Sequence, residues 1–385
     1  MYSINPRDKF YLFKKTNNFC AAPWNLIYVD VDGSVKICVK GNDYFGNLQT
    51  NTIEEILANP KIKKIKTTIL NDKTSVHCAT CLAMENDGTN NKKYSFLRNN
   101  YNELARDIDI NYQDTDQFVL GALDLHWSSL CDLKCVTCWA KQSSSIAVEQ
   151  GLPVQHLPTE HALKFIDWVV SHQDTLKEIY LSGGEPTMIK YNAWLLEQIN
   201  KRDDLLIRVN SNMMWDLDNN VIKEILKFPN VLFTCSADGI GSRFEYIRRG
   251  ASWSKFQDRL KFLLDHSNVS IRINSVFSVL NASTLTDQID FFRYNFQVNN
   301  QTINQCGMGH TQLKSRNLPD EAKKVTREKI NDAINRYSYD INLVGQLKNC
   351  LVELDYPPEI SYVNYLNGVD KLANTNWRQI FTELA

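Results

Sequence analysis

The 385-residue sequence lacks the features that mark membrane, secreted or disordered proteins. No apolar run approaches the roughly 18 residues that a membrane-spanning helix needs, and the first nine residues contain no apolar core of a secretory signal. The net charge of -1 is not the basic excess that usually accompanies nucleic-acid binding. With 43% hydrophobic and 23% charged residues, the composition is that of a folded globular protein. We therefore expect a cytoplasmic protein with no membrane partner.

Cysteine, in contrast, is plentiful. Thiols stay reduced in the cytoplasm, where we expect this protein, so its ten cysteines favour metal or redox chemistry over disulfides. Seven of them form two groups, one of three (Cys131, Cys135, Cys138) and one of four (Cys20, Cys38, Cys78, Cys81). The remaining three stand alone (Cys235, Cys306, Cys350).

Residues 1–90 are predicted to form a small hairpin-plus-helix module that binds metal. Asp32-Gly33 between two β-branched runs is a strong hairpin signal. Thr52 followed by Glu55 predicts a capped helix, and Asn59-Pro60 begins another. In that second helix the lysines of the 61–66 run are expected on the solvated side. Residues 91–117 are predicted as a linker and bridging helix, with a polar stretch at 87–93 leading into it.

From residue 118 onward, strands alternate with helices. Strand-like runs occur near 118–126, 177–181, 205–210, 231–235, 269–279 and 302–305. This alternation predicts a parallel sheet of βαβ units. The fold class we expect is α/β, a partial (β/α)6 TIM-like barrel over residues 118–312. Residues 313–385 are predicted to be a helical region, broken at Pro357-Pro358.

The three-cysteine group follows the first barrel strand with the spacing C-x3-C-x2-C. Three thiolates can hold three irons of a [4Fe–4S] cluster and leave the fourth iron without a protein ligand. An open metal position is typical of catalytic sites. This motif resembles that of the radical S-adenosylmethionine (radical SAM) superfamily, although Thr137 stands where the family usually has an aromatic residue. The alternative is a zinc knuckle with His126 as the fourth ligand.

Other motifs resemble radical SAM positions at the carboxyl ends of strands, where barrel active sites lie. Gly183-Gly184-Glu185-Pro186 is similar to the element that binds the methionyl amino group of SAM. Asn210-Ser211-Asn212, Ser236-Ala237-Asp238-Gly239 and Arg249-Gly250 are similar to later elements. The resemblance thus implies SAM contacts from six residues (Gly183, Gly184, Glu185, Asn212, Ser236, Arg249). A simple strand-to-helix turn is the alternative for residues 183–186, and ordinary polar loop residues are the alternative for the three later elements.

The four-cysteine group resembles the auxiliary-cluster domains called SPASM and twitch, and its shorter form matches twitch. In most relatives this domain follows the barrel, whereas here it precedes it. The resemblance implies a second [4Fe–4S] cluster that four thiolates saturate, so electron transfer is its expected role. A structural zinc ribbon is the alternative, but Cys20-x17-Cys38 does not supply the usual C-x2-C pair.

Together the motifs imply an enzyme with two [4Fe–4S] clusters that cleaves SAM to a 5′-deoxyadenosyl radical. We expect it to oxidise a peptide or protein side chain, with an electron donor such as flavodoxin or ferredoxin. A small metabolite or RNA as substrate, or a zinc-stabilised binding protein without activity, are the alternatives. No catalytic residue is assigned, although Asp124, His126, Cys306 and His310 are candidates for the cavity, and Cys235 is expected in the core.

Overall fold

The computed structural model describes residues 19–81 and 92–384. The first residues of the chain and most of the polar stretch predicted at 87–93 lie outside the described part. Within it, the strands are β1 (Leu26–Val29), β2 (Ser34–Lys36), β3 (Gly46–Asn47), β4 (Ala122–Leu125), β5 (Glu178–Leu181), β6 (Leu206–Ser211), β7 (Val231–Ser236), β8 (Val269–Phe277) and β9 (Gln301–Gln305). The six predicted barrel strands are therefore confirmed as β4 to β9.

Helices separate the strands as the sequence predicted. The main α-helices are α1 (Ala22–Asn25), α2 (Ile53–Leu57), α3 (Pro60–Leu70), α4 (Lys92–Leu104), α5 (Ser144–Glu149), α6 (Thr159–Ser171), α7 (Lys190–Gln198), α8 (Asn220–Ile225), α9 (Gly241–Ile247), α10 (Trp253–Leu264), α11 (Leu285–Phe296), α12 (Asp320–Arg336), α13 (Ile341–Asp355), α14 (Val363–Ala373) and α15 (Trp377–Ile380). None of the helices in the described residues is long and apolar enough to cross a membrane.

The chain forms two compact units. The first contains residues up to Leu130, Gln155–Val209 and Asp218–Val231. The second contains Cys131–Val154, Asn210–Leu217 and Leu232–Ala385.

The sheet of the first unit has the order β3-β2-β1-β4-β5-β6. Strands β4, β5 and β6 are parallel, as alternating βα units require. The hairpin strand β1 lies antiparallel to β2 and parallel to β4. The N-terminal hairpin therefore extends the barrel sheet by direct strand pairing, which the sequence did not predict.

Local signals in the N-terminal module are confirmed. Gly33 has φ of +84°, the left-handed conformation that a glycine at this turn of the hairpin adopts without a steric penalty. The Thr52 side chain accepts a hydrogen bond from the Glu55 backbone, and the Glu55 carboxylate accepts one from the Thr52 backbone. This reciprocal pair is the predicted capping box of α2.

In the second unit β7, β8 and β9 lie side by side in that order, with β8 and β9 parallel. The predicted helical region is confirmed as α12 to α15, and Pro357-Pro358 fall between α13 and α14. These helices bury a continuous apolar core that includes Leu347, Cys350, Leu366 and Trp377. The lone Cys350 is thus a core residue.

One prediction for α3 was wrong. Lys61, Lys63 and Lys64 are exposed as expected, but Lys66 is only 2% exposed. Its ammonium donates to the Gln117 carbonyl at 2.7 Å. A single carbonyl does not replace the water removed, so burial lowers the pKa of Lys66 to about 8.

We expect Lys66 to make stability depend on alkaline pH. Because its pKa is lower in the folded state than in the unfolded chain, the unfolded chain binds more protons between about pH 8 and pH 10.5. The destabilisation caused by burying the charged Lys66 is therefore relieved as pH rises through that window. Urea unfolding across this range should show the free energy of unfolding of the wild type increasing relative to that of Lys66→Met. The exposed Lys64→Met is the control, and a pH-independent difference for Lys66→Met would contradict the burial of a charged amine.

Candidate functional site

The loop that carries Cys131, Cys135 and Cys138 belongs to no helix or strand. Its backbone pairs with the end of α9 and the turn that follows it: Val136 N donates to Ile247 O at 2.7 Å, and Lys134 N donates to Arg249 O at 2.9 Å. The side chains of Ser144 and Ser145 in α5 both donate to the Cys131 carbonyl, at 3.1 and 2.8 Å. The loop is therefore held by hydrogen bonds rather than by regular structure.

The thiols of this loop are desolvated. Burial raises the pKa of Cys135 to about 12, while the neighbouring Arg248 guanidinium opposes that rise. Burial also raises the pKa of Cys138. Thiols in such a setting lose their protons when they bind metal, since the ion supplies the missing positive charge. Three desolvated thiols in one loop, with the Arg248 guanidinium beside Cys135, fit the iron–sulfur cluster that the motif predicts.

Asn212 contacts the three-cysteine loop through its side chain. Its Nδ2 is 4.0 Å from Cys131 Sγ and donates to the Asp132 carboxylate at 2.8 Å. Its Oδ1 accepts from Met214 N, which fixes the amide orientation. Ser236, at the end of β7, is 3.4 Å from Asn210 Oδ1.

Arg249 is placed differently from Asn212. Its guanidinium donates to Glu149 at 2.6 Å and to the Lys134 carbonyl at 3.1 Å. Lys134 shares the same carboxylate at 3.0 Å. The neighbouring Arg248 is the arginine that reaches a cysteine, with Nη1 3.9 Å from Cys135 Sγ. Both arginines lie in the turn that follows α9, and there only Arg248 is directed at a thiol while Arg249 is directed at Glu149.

In the first unit, Gly183 and Gly184 pack against the backbone that follows β4. Gly184 N donates to Ser128 O at 3.1 Å, and Glu185 N donates to Leu130 O at 2.7 Å. A Cβ on Gly184 would lie 2.3 Å from the Leu130 carbonyl oxygen, and Gly183 has φ of +105°. The glycines are thus required by close approach to the chain's own backbone, directly before Cys131.

Glu185 is almost fully buried. Its Oε1 accepts hydrogen bonds from the backbone and hydroxyl of Thr187, at 3.1 and 2.7 Å. These contacts hold the carboxylate at the end of the glycine turn, where the sequence predicted recognition of an ammonium group.

The four N-terminal cysteines are brought together. Burial raises the pKa of Cys20, and Cys38 and Cys78 raise it further. Burial raises the pKa of Cys78 to about 12, with Cys38 and Cys81 adding to the effect. Thiolates that repel one another in this way need a shared cation, so this donor set also fits an iron–sulfur cluster.

Neither group is arranged for a single ion. In residues 19–81 and 92–384, no group of three or more His, Cys, Asp or Glu side chains is placed to hold one metal ion. A [4Fe–4S] cluster makes a different demand, since each thiolate binds a different iron. The zinc alternative for the three-cysteine group also needs His126, whose Nε2 lies 2.9 Å from Asp124 and 3.0 Å from Ser182.

Four adjacent strands present a polar row on one face. The strand register aligns Tyr28 with Asp124, Asp124 with Tyr180, and Tyr180 with Arg208. The Arg208 guanidinium lies 4.3 Å from the Tyr180 ring centroid and donates to Glu178 at 2.6 Å. This face can bind polar groups and move protons, which an apolar wall cannot.

Of the other candidates from the sequence, some contact the cysteine loop and others lie in the hydrophobic core. His310 Nε2 is 3.0 Å from the Cys138 carbonyl, and Cys306 Sγ is 3.6 Å from the His310 carbonyl. Cys235 is fully buried in β7, in agreement with a core role. Sequence reasoning missed Tyr365, which donates to the Val136 carbonyl at 2.8 Å. No local signal could link it to a loop 229 positions away in the chain.

Two family models match this arrangement. The model of the radical SAM superfamily matches residues 126–280, and that of SPASM, an iron–sulfur cluster-binding domain, matches residues 20–82. The chain carries a radical SAM domain preceded by a SPASM domain. These two domains imply iron–sulfur clusters and SAM as cofactors, and the radical SAM domain supports an enzyme. The predicted fold class, a partial barrel with an N-terminal metal-binding domain, is confirmed.

Solved structures similar to this radical SAM protein include native anSMEcpe with bound AdoMet, at 16% identity and a TM-score of 0.44. That match covers 58% of this chain and 62% of anSMEcpe, so the chain spans less than two thirds of that protein. Streptococcus suis SuiB bound to the precursor peptide SuiA matches at 14% identity and a TM-score of 0.42, covering 82% of this chain and 70% of SuiB. No curated protein sequence matches the chain.

We expect Gly184→Ala to destabilise the radical SAM protein by about 1–3 kcal/mol, the usual range for overpacking. The new methyl group must displace the Leu130 carbonyl and with it the start of the cysteine loop. Urea unfolding and iron content per chain measure both effects. Gly345→Ala, in α13 with nothing within 4 Å of the new Cβ, is the matched control. Equal stability and equal iron in the two variants would show that the glycine turn does not position the loop.

Proposed function

We propose that this radical SAM enzyme oxidises a peptide or protein side chain with the help of an auxiliary [4Fe–4S] cluster. In this proposal Cys131, Cys135 and Cys138 hold the SAM-binding cluster. The SPASM module within residues 1–90 holds the auxiliary cluster through its four cysteines (Cys20, Cys38, Cys78, Cys81). SAM contacts are assigned to the residues named from the motifs (Gly183, Gly184, Glu185, Asn212, Ser236, Arg249). An electron donor such as flavodoxin or ferredoxin is the proposed redox partner.

Held by the two cysteine groups, the clusters and SAM would supply the redox chemistry: reductive cleavage of SAM to a 5′-deoxyadenosyl radical, abstraction of a hydrogen atom from the substrate, and an acceptor for the remaining electron. Oxidation of a carbon that bears an O–H, S–H or N–H group also releases a proton. The chain's own residues have to accept that proton and shield the reacting carbon from water.

A chain of contacts inside the first unit carries the proposal. Asp124 is close enough to Cys38 to add to the rise in pKa that burial gives that thiol. Asp124 lies 2.9 Å from His126, and His126 lies 3.0 Å from Ser182, which precedes Gly183 directly. The auxiliary cysteines and the glycine turn are thus linked by three polar side chains. This supports an auxiliary cluster that works on the same substrate as the SAM site.

His126 is the proposed proton acceptor in this arrangement. Asp124 is buried, and its Oδ1 lies 2.9 Å from His126 Nε2, close enough to favour a proton on the imidazole. The Tyr28 ring packs beside the imidazole at 4.8 Å between ring centroids. Asp124 and Tyr28 thus restrict the positions that His126 can take.

Anaerobic reconstitution tests the two-cluster assignment. We expect about eight irons per chain, four for each cluster, and formation of 5′-deoxyadenosine from SAM with a chemical reductant. Replacing the three loop cysteines with Ala should leave about four irons and abolish SAM cleavage, because only the auxiliary cluster remains. Replacing the four N-terminal cysteines should remove the other half of the iron. SAM cleavage that survives the loss of the loop cysteines would refute the assignment.

The substrate class is tested by dialysing a cell extract and assaying two fractions separately: the macromolecules that the membrane retains and the small molecules in the dialysate. We expect the retained peptides and proteins to stimulate 5′-deoxyadenosine formation by the reconstituted enzyme. Treating the retained material with protease should remove that stimulation, whereas ribonuclease should leave it unchanged. Stimulation by the dialysate alone would point to a small metabolite, and loss after ribonuclease would point to RNA.

A further inference from the structure

Arg248 is a buried cation beside the three-cysteine loop, and the roles assigned above do not use it. Its residue is 8% exposed, and its guanidinium forms an ion pair with Asp238 at 3.0 Å. The Asp238 carboxylate is itself 1% exposed and also accepts from Val276 N at 2.7 Å. The hydrogen bond from Val276, near the carboxyl end of β8, therefore fixes the position of Asp238 and, through it, that of Arg248.

The guanidinium also faces the cysteines. Nη1 is 3.9 Å from Cys135 Sγ. Asp238 and the sulfurs of Cys131, Cys135 and Cys138 all interact electrostatically with the guanidinium. Arg248 therefore lies within electrostatic reach of each sulfur in the loop.

One donor of this side chain points to a missing acceptor. Arg248 Nε is buried and has no hydrogen-bond partner among the described residues. A buried donor that has no acceptor is destabilising. A sulfur-rich cluster bound by the neighbouring thiols would supply acceptors at that place.

We propose that Arg248 donates hydrogen bonds to the sulfur atoms of the SAM-binding cluster and raises its reduction potential, with Asp238 limiting the size of the rise. This rests on the proposed cluster assignment and deepens it. Reduction adds a negative charge to the cluster, and a nearby cation favours that state. Hydrogen bonds to cluster sulfurs act in the same direction. The Asp238 carboxylate acts in the opposite direction, so the two residues have opposite signs of effect.

The test is a redox titration of the reconstituted protein without SAM, followed by EPR of the reduced cluster. To observe one cluster only, the titration uses a background in which Cys20, Cys38, Cys78 and Cys81 are Ala. Arg248→Gln should make reduction about tenfold less favourable, which is about 59 mV more negative for a one-electron couple. Asp238→Asn should shift the potential in the positive direction. Arg248→Lys, which keeps the charge but loses the planar fork, should give an intermediate value.

Arg243→Gln is the matched control, because Arg243 lies on α9 and pairs with Glu383 rather than with a cysteine. It should leave the potential unchanged. Unchanged reduction potentials in Arg248→Gln and Asp238→Asn would overturn the proposal. A shift of the same size in Arg243→Gln would overturn it as well. If Arg248→Gln leaves the potential unchanged but weakens SAM binding, Arg248 is a residue that binds SAM, and the proposal is again overturned. If Arg248→Gln does not retain iron, the opposed shifts of Arg248→Lys and Asp238→Asn decide the question.

Failure of the cluster assignment can be distinguished from failure of the role proposed for Arg248. If the background protein shows no EPR signal and no iron after reconstitution, the three loop cysteines do not hold a cluster. A normal signal with an unchanged potential instead rejects the role of Arg248 alone.

Discussion

Everything at the three-cysteine loop depends on holding an irregular segment still while its thiols are kept out of water. Regular structure would satisfy the backbone by itself, but residues 131–138 have none. The backbone of 247–249, two serine hydroxyls of α5, Tyr365 and His310 supply the missing bonds. Each is worth about 0.5–1.5 kcal/mol net, so the loop is fixed by their number rather than by one strong contact.

The C-terminal helices help to hold the cysteine loop in place. Val136 belongs to the same apolar core as Leu318, Leu347 and Leu366, so the cysteine loop is packed into the helical region as well as hydrogen-bonded to it. The Tyr365 hydroxyl then reaches the carbonyl of that same valine. Residues 313–385 are thus part of the support of the loop, because removing them would expose Val136 and leave its carbonyl without this donor.

Much of the fold could be predicted because its signals are local. Strand and helix periodicity, the Asp32-Gly33 turn and the Thr52 capping box each depend on a few neighbouring residues. The parallel pairing of β1 with β4 could not be predicted, since it joins segments almost a hundred residues apart. Lys66 was misplaced because helical periodicity does not reveal that Gln117 offers its ammonium a carbonyl.

The candidate site shows the same division. Cysteine spacing and the double glycine were visible in the sequence, whereas their physical reasons were not. Gly184 is required by the Leu130 carbonyl rather than by a ligand, which only the packing reveals. The choice between Arg248 and Arg249 depends on how the turn after α9 directs each side chain, and two adjacent arginines give no sequence signal for that.

The polar row across β1, β4, β5 and β6 has no explanation in stability. Parallel strands buried on both faces usually carry near-continuous apolar side chains, as Leu123 and Leu125 do on β4. Buried polar groups must be paired to be tolerated, and Asp124 with His126 and Arg208 with Glu178 meet that demand. Yet replacing a buried ion pair such as Arg208–Glu178 with apolar residues of similar volume is often neutral or stabilising. Stability alone therefore does not account for the polarity of this face, whereas the proposed site, which handles polar groups and protons, requires it.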